Sequence, residues 1–241
     1  MINNIKTLGV FSFVCLIPLL VGCQEPESTE IPKFADYAAG TERKGVFFDY
    51  IRPLVDAENQ KVAVIRARLL SINKNSELSN DEGLWLLAIA KRYRMEEFEL
   101  DDFSQRRELI NRVDVAPASL VLSQAAAESG WGTSRFATQG NNYFGQWCFK
   151  KGCGLVPASR QSGKAHEVAV FVTPQHSIER YLLNLNSFSA YKQLRAIRAK
   201  LRAQGVEPTG VELADGLIRY SERGAPYVDE IKSLIRSNKL E

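Results

Sequence analysis

Apolar positions in this chain recur mostly with a helical period. From Phe47 onward Val62, Ile65, Leu69 and Ile72 fall at i, i+3, i+7 and i+10, with Arg66 and Arg68 between them and Lys74 just after, the spacing of one buried helix face. Ser79-Asn80-Asp81-Glu82 forms a capping-box pattern ahead of Leu84-Trp85-Leu86-Leu87-Ala88-Ile89-Ala90 and predicts a helix start. The acidic stretch from Glu96 to Asp102 reads as loop, and Ser104 to Val113 as a short helix. Pro117 suits a first helical turn and Gly130 a C′ position, so a helix is expected from about 117 to 129. Its body is apolar and small nearly all round, the pattern of a buried helix. Between Asn141 and Phe171 the texture changes to Gly, aromatics and the alternating Val168-Ala169-Val170-Phe171, which predicts a small β-hairpin lobe. Helical periodicity returns after Thr173-Pro174, with Ile178, Tyr181, Leu182 and Leu185 on one face, a basic helix near 190–204, and two more near 209–220 and 226–238. The fold class is therefore α+β, mainly α.

The first 22 residues have a different character. Lys6 precedes a short apolar stretch from Leu8 to Gly22 that contains Pro18, which reads as a secretory signal. It ends in Leu20-Val21-Gly22-Cys23 followed by polar residues, and this resembles a bacterial lipobox. Cleavage before Cys23 and lipid attachment to it are expected, leaving 219 residues anchored to a membrane. Gln24 after the Cys points to the outer membrane, with the domain facing the periplasm. Residues 23–44, polar and containing Pro26, Pro32 and Gly40, read as lipidated Cys and flexible tether. Residues 45–115 read as an N-terminal helical region and 116–241 as a second domain.

Charge sharpens the picture. The whole chain carries a net +3, but residues 24–60 hold 4 basic and 8 acidic side chains, and residues 135–202 hold 11 basic and 2 acidic. A basic lobe implies a polyanionic partner. Export and the lack of nucleic-acid motifs exclude nucleic acid, leaving a carboxylate-rich polymer or an anionic membrane surface. Cys148 and Cys153 flank Phe149-Lys150-Lys151-Gly152, a hairpin tip, and export favours a disulfide. The alternative is zinc with His166 and His176, whose ten-residue offset misses the short His spacing of structural zinc. No metal or other cofactor is expected, and the chain is expected to act as a monomer.

Glu128 is the residue that points to chemistry. It ends a buried, otherwise neutral helix, and no Lys, Arg or His occurs between Val113 and Ser134. Burial and the helix C-terminus both raise a carboxyl pKa. A carboxylic acid kept protonated near neutral pH can protonate a leaving-group oxygen. Trp131, three residues on, offers an apolar wall.

Ser123-Gln124-Ala125-Ala126-Ala127-Glu128-Ser129-Gly130-Trp131-Gly132-Thr133-Ser134, followed by Asn141-Asn142-Tyr143-Phe144-Gly145, resembles the core of the bacterial glucosaminidase family, the peptidoglycan hydrolase domain of flagellar rod hydrolases and autolysins. Phe144-Gly145-Gln146-Trp147-Cys148-Phe149 and Arg219-Tyr220-Ser221-Glu222-Arg223-Gly224 are similar to its Bax-like branch. The resemblance covers about half the chain. It implies a lysozyme-like fold, Glu128 as general acid, and hydrolysis of the β-1,4 bond after N-acetylglucosamine in peptidoglycan strands. It places Trp131, Asn142, Tyr143 and Trp147 along the groove. Asn142 equally suits loop-fixing bonds, and each aromatic equally suits a core. For a second catalytic group, Glu167 and Tyr220 are the candidates. Glu167 falls nearer the last strand than the family's usual hairpin position, with a solvent-facing strand residue as the alternative. Tyr220 matches a family Tyr that would orient the sugar's 2-acetamido group or the water, with core packing as the alternative. Lys150, Lys151, Arg160 and Lys164 are expected to flank the groove and steer anionic strands. The competing functions are a muramidase or lytic transglycosylase on the same fold, and a tethered wall-binding module without catalysis.

Overall fold

The computed structural model describes residues 30–75, 77–158, 160 and 166–241. The signal segment, Cys23 and Lys164 lie outside the described residues. Helix α1 (Thr41–Ile72) runs 32 residues, about 48 Å at 1.5 Å per residue, and serves two cores. Its first half buries Phe47, Ile51 and Val55, spaced one turn apart, with Leu120, Ala125, Leu185 and Ile231. Its last turns bury Leu69 and Ile72 with Leu86, Ile89, Leu109 and Val113. Helices α2 (Asn80–Arg92) and α3 (Phe103–Arg112) complete that second core. The Ser79–Glu82 capping box is present in both directions. The buried residues of this second core all lie within 45–115, and α1 joins it to the first core.

Helix α4 (Ala118–Ser129) begins after Pro117 at its N-cap and ends at Gly130 in the left-handed region. Leu120 through Ala126 are all buried, as an apolar surface on every side requires. It packs against α1, against α8 (Gly210–Ala214) and against α9 (Ala225–Ser237). The turn after α4 is left-handed at Gly130, Trp131 and Gly132. A Cβ on Gly132 would collide with the ring of Phe34. Phe34 sits in a 3₁₀ turn, Phe34–Asp36, and packs on Phe47 at 5.4 Å. Polar composition made residues 24–44 look like tether throughout, but from Phe34 onward that stretch is folded, because one buried aromatic anchors it.

The other elements are α5 (Arg135–Gly140), α6 (Pro174–Ser187) and α7 (Lys192–Ala203), with 3₁₀ turns at Ser189–Tyr191 and Asp215–Leu217. The helix expected over 209–220 is shorter, ending in that last 3₁₀ turn. Among the described residues the β lobe has three antiparallel strands rather than the two of a lone hairpin. β3 (Glu167–Ala169) lies between β1 (Trp147–Cys148) and β2 (Gly154–Leu155), and Val168 is paired with both Trp147 and Leu155. Cys148 and Cys153 form a disulfide across the tip, with a Cα separation of 6.2 Å. Among the described residues no helix is long and apolar enough to cross a membrane.

The basic stretch 190–204 turns inward. Arg198 is buried and donates to the carbonyls of Asn111 and Val115 and to Asn186 Oδ1 at 2.8 Å. Buried Asp114 faces Arg66 at 3.3 Å, Arg202 at 3.1 Å and Arg198 at 3.7 Å. Arg195 donates to the carbonyls of Leu185 and Phe188. Three of the eleven basic side chains of that lobe, Arg195, Arg198 and Arg202, are therefore internal scaffolding that ties α7 to α1 and to the end of α3.

Candidate active site

Glu128 occupies the last turn of α4. Its Oε1 accepts a hydrogen bond from the Tyr227 hydroxyl at 2.8 Å. The Tyr227 oxygen accepts in turn from Gln124 Nε2 at 3.0 Å, and the Tyr181 hydroxyl donates to Gln124 Oε1. Gln124 lies one turn before Glu128 on the same helix, Tyr227 on α9 and Tyr181 on α6, and all three are buried. Three helices thus fix the position of one carboxyl. Burial raises the Glu128 carboxyl above its ordinary value; the Tyr227 hydrogen bond opposes that shift, Glu230 reinforces it and Arg223 opposes it. The residual negative charge of the helix C-terminus acts in the same direction as burial.

Above the carboxyl the chain is kept bare. Gly145 has φ +62, and a Cβ there would come to 3.8 Å from Glu128 Oε2. Only glycine adopts that backbone without strain, and it leaves the acid open to a cleft of about 750 Å³. Trp147, Phe149 and Phe188 line this cleft and are 59 %, 76 % and 51 % exposed. Tyr181 lines it too, stacked on Phe144 at 3.9 Å. Exposed aromatic faces beside an acid suit the C–H faces of sugar rings. Gln146 and Asn184 supply polar edges and are bonded to each other at 3.2 Å.

The sequence candidates separate into two groups. Glu128, Tyr220 and Trp147 share the cleft. Tyr220 stacks on Tyr227 at 5.2 Å, and its hydroxyl donates to the Phe144 carbonyl at 3.0 Å. Trp147 stacks on His166 at 4.2 Å. The others do not line the cleft. Trp131 packs edge-on against Phe47 and Phe48, with Lys44 over its ring, because the left-handed turn aims it at α1. Tyr143 and Asn142, each 1 % exposed, are internal. Tyr143 lies beside Phe47, and Asn142 donates to the carbonyls of Gln146 and Ala169 and so holds the loop that carries Gly145.

Glu167 is also internal. Its carboxylate accepts from the backbone N–H groups of Gly152 and Gly154 at 3.0 and 2.9 Å, which hold its pKa below the ordinary value. It organises the disulfide loop and is not among the residues that line the cleft. The Cys148, Cys153 and Glu167 ligand atoms lie close together, but the disulfide removes both thiols as metal ligands. Lys150, Lys151 and Arg160 do not line the cleft; among the described residues the cations that do are Arg94, Arg180 and Arg219. Sequence reasoning also passed over Gln124, Tyr181 and Tyr227. A signal existed for Gln124, a lone amide on an otherwise apolar helix face one turn from Glu128.

Residues 104–240 match the glucosaminidase family model, described as mannosyl-glycoprotein endo-beta-N-acetylglucosaminidase. The chain is 33 % identical over 213 residues to Protein bax of Escherichia coli (strain K12), an overlap of 88 % of this chain and 76 % of that protein. No solved structure gives a significant match. With Glu128 at the head of an aromatic cleft, and the family match spanning every residue of its lining but Arg94, the chain belongs to the glucosaminidase family of glycoside hydrolases, in its Bax-like branch.

Proposed function

We propose that the chain hydrolyses peptidoglycan glycan strands as a β-N-acetylglucosaminidase, cutting the β-1,4 bond after N-acetylglucosamine with Glu128 as general acid. One observation carries this reading. Among the described residues lining the aromatic cleft Glu128 is the single carboxylate, and its burial favours the protonated form. A glycosidase working through two protein carboxylates needs the second about 5–5.5 Å away for retention or about 6.5–9.5 Å for inversion. Glu167 accepts from two backbone amides and is not part of the cleft lining, which favours a mechanism without it.

The sugar's own 2-acetamido oxygen then takes the nucleophile's part. It attacks C1 as Glu128 gives its proton to the departing glycosidic oxygen. Water next attacks C1, the C1–acetamide bond breaks, and the Glu128 carboxylate takes the water's proton. The acid is regenerated and the anomeric configuration is retained. Tyr220 orients the acetamide. With its O–H engaged in a hydrogen bond to the Phe144 carbonyl, its oxygen accepts the acetamide N–H and makes the acetamide oxygen a better nucleophile. Trp147 and Phe188 hold flanking sugars.

The test is the reducing end released from purified sacculi, read by mass spectrometry after borohydride reduction. N-acetylglucosaminitol ends are expected. N-acetylmuramitol ends would identify a muramidase and anhydromuramyl ends a lytic transglycosylase, and either overturns the reading. Anchorage through a lipidated Cys23 to the outer membrane, with a monomeric domain facing the periplasm, belongs to the same proposal. It is supported by the leader and the Cys that ends it. Metabolic labelling with palmitate is expected in the wild type and lost in Cys23→Ser.

A further inference from the structure

Among the described residues three guanidinium groups line the cleft, on three different stretches of chain: Arg94 after α2, Arg180 on α6 and Arg219 beside Tyr220. Arg94 takes a left-handed backbone, φ +59, a conformation that costs a non-glycine residue about 1 kcal/mol or more. Its guanidinium is fixed by Asn184 Oδ1 and Ser187 Oγ, both at 3.0 Å, and lies over the Phe188 ring at 5.0 Å. Arg180 is one turn before Asn184 on the same helix, close enough for its charge to disfavour that of Arg94. Neither Arg180 nor Arg219 has an acidic partner among the described residues. The cleft therefore presents three cations against one carboxyl that favours its neutral form. A neutral amino-sugar polymer gives no partner to such a cluster. Guanidinium groups match carboxylates with paired, charge-assisted hydrogen bonds, and a cleft concentrates the field of like charges.

We propose that Arg94, Arg180 and Arg219 form a carboxylate-binding subsite that reads the stem peptides of a peptidoglycan strand, so that the cleft selects peptide-bearing over bare glycan. The proposal rests on the reading of this cleft as a glycan site. Arg94 lies before residue 104, where the family match begins, so the N-terminal helical region completes the substrate site.

The experiment compares two substrates: soluble strands that retain stem peptides, and the same strands stripped by an amidase. Binding is measured by equilibrium sedimentation and cleavage by kcat/KM. The wild type is expected to prefer peptide-bearing strands by about tenfold or more in both, a preference that shrinks with added salt. In the Arg180→Gln/Arg219→Gln double variant, at exposed positions whose side chains make no hydrogen bond or ion pair among the described residues, the ratio is expected to fall toward one. Lys150→Gln/Lys151→Gln, an equal charge loss outside the cleft, keeps the preference. Equal wild-type binding to both strands, or a double variant that weakens both equally, overturns the subsite. A wild type that cleaves neither strand but keeps the binding preference overturns the hydrolase reading and sustains the subsite.

Discussion

Tyr227→Phe removes one oxygen and keeps the ring that stacks on Tyr220 at 5.2 Å. What is lost is the 2.8 Å hydrogen bond to Glu128 Oε1. That bond favours the carboxylate, so its loss raises the pKa of Glu128 further above the ordinary value. Hydrogen bonds to charged groups contribute about 1.5–3 kcal/mol, which at about 1.4 kcal/mol per unit is about 1–2 pH units. Glu128 opens onto a cleft, so the lower figure, about one unit, is expected. A general acid works only while protonated, and the basic limb of kcat/KM against pH reports its pKa in the free enzyme. In Tyr227→Phe that limb is expected to move upward by about one unit on purified sacculi. Gln124 Nε2 also loses its acceptor, which lowers stability by about 1–3 kcal/mol; thermal melts at each pH separate that loss from the shift of the limb. A limb that stays in place, or moves down, refutes the idea that this hydroxyl tunes Glu128.

Arg198→Ala leaves Asp114 without one of its three cations and several carbonyls without donors. Removing one partner of a buried pair costs about 3–5 kcal/mol, read as a lowered urea midpoint. Glu167→Gln is expected to keep the wild-type pH profile while loosening the disulfide loop, with raised KM and little change in kcat; a fall in kcat of a thousandfold would restore Glu167 as a catalytic group. The raised Glu128 carboxyl binds its proton more tightly folded than unfolded, so its stabilising contribution is complete in acid. It is lost as pH rises through the folded value. Glu128→Gln is therefore expected to melt higher than wild type at alkaline pH and nearly level with it in acid, as followed by circular dichroism.

The helices were legible because their signals are local. The Ser79–Glu82 box, the Pro117 and Gly130 ends of α4 and the Ile178-Tyr181-Leu182-Leu185 face each lie within a few turns of sequence. Glu128 was legible for the same reason, as a charge ending a neutral helix. The fold of residues 34–44 was not, because Phe34 is held by Phe47 and by the space over Gly132, contacts that no local period encodes. The sheet order was missed because β3 inserts between two strands that precede it in sequence. Trp131 and Tyr143 illustrate a further limit. An aromatic near a catalytic acid suits a sugar groove and a core alike, and here backbone handedness at Trp131 and packing against Phe47 settle both toward the core. Charge counting misled most: Arg195, Arg198 and Arg202 looked like a basic surface, yet they bond carbonyls and Asp114. The arginines that reach the cleft come from three separated stretches of chain.

The chemistry rests on whether Glu128 delivers a proton, and its removal tests that most directly. Glu128→Gln preserves shape and keeps an acceptor for Tyr227, so folding, checked by circular dichroism, is expected to be intact. The rate of solubilising purified sacculi is expected to fall by about 10²–10⁴-fold, the share a positioned general acid contributes. A folded Glu128→Gln that releases fragments within a few-fold of the wild-type rate would contradict the account.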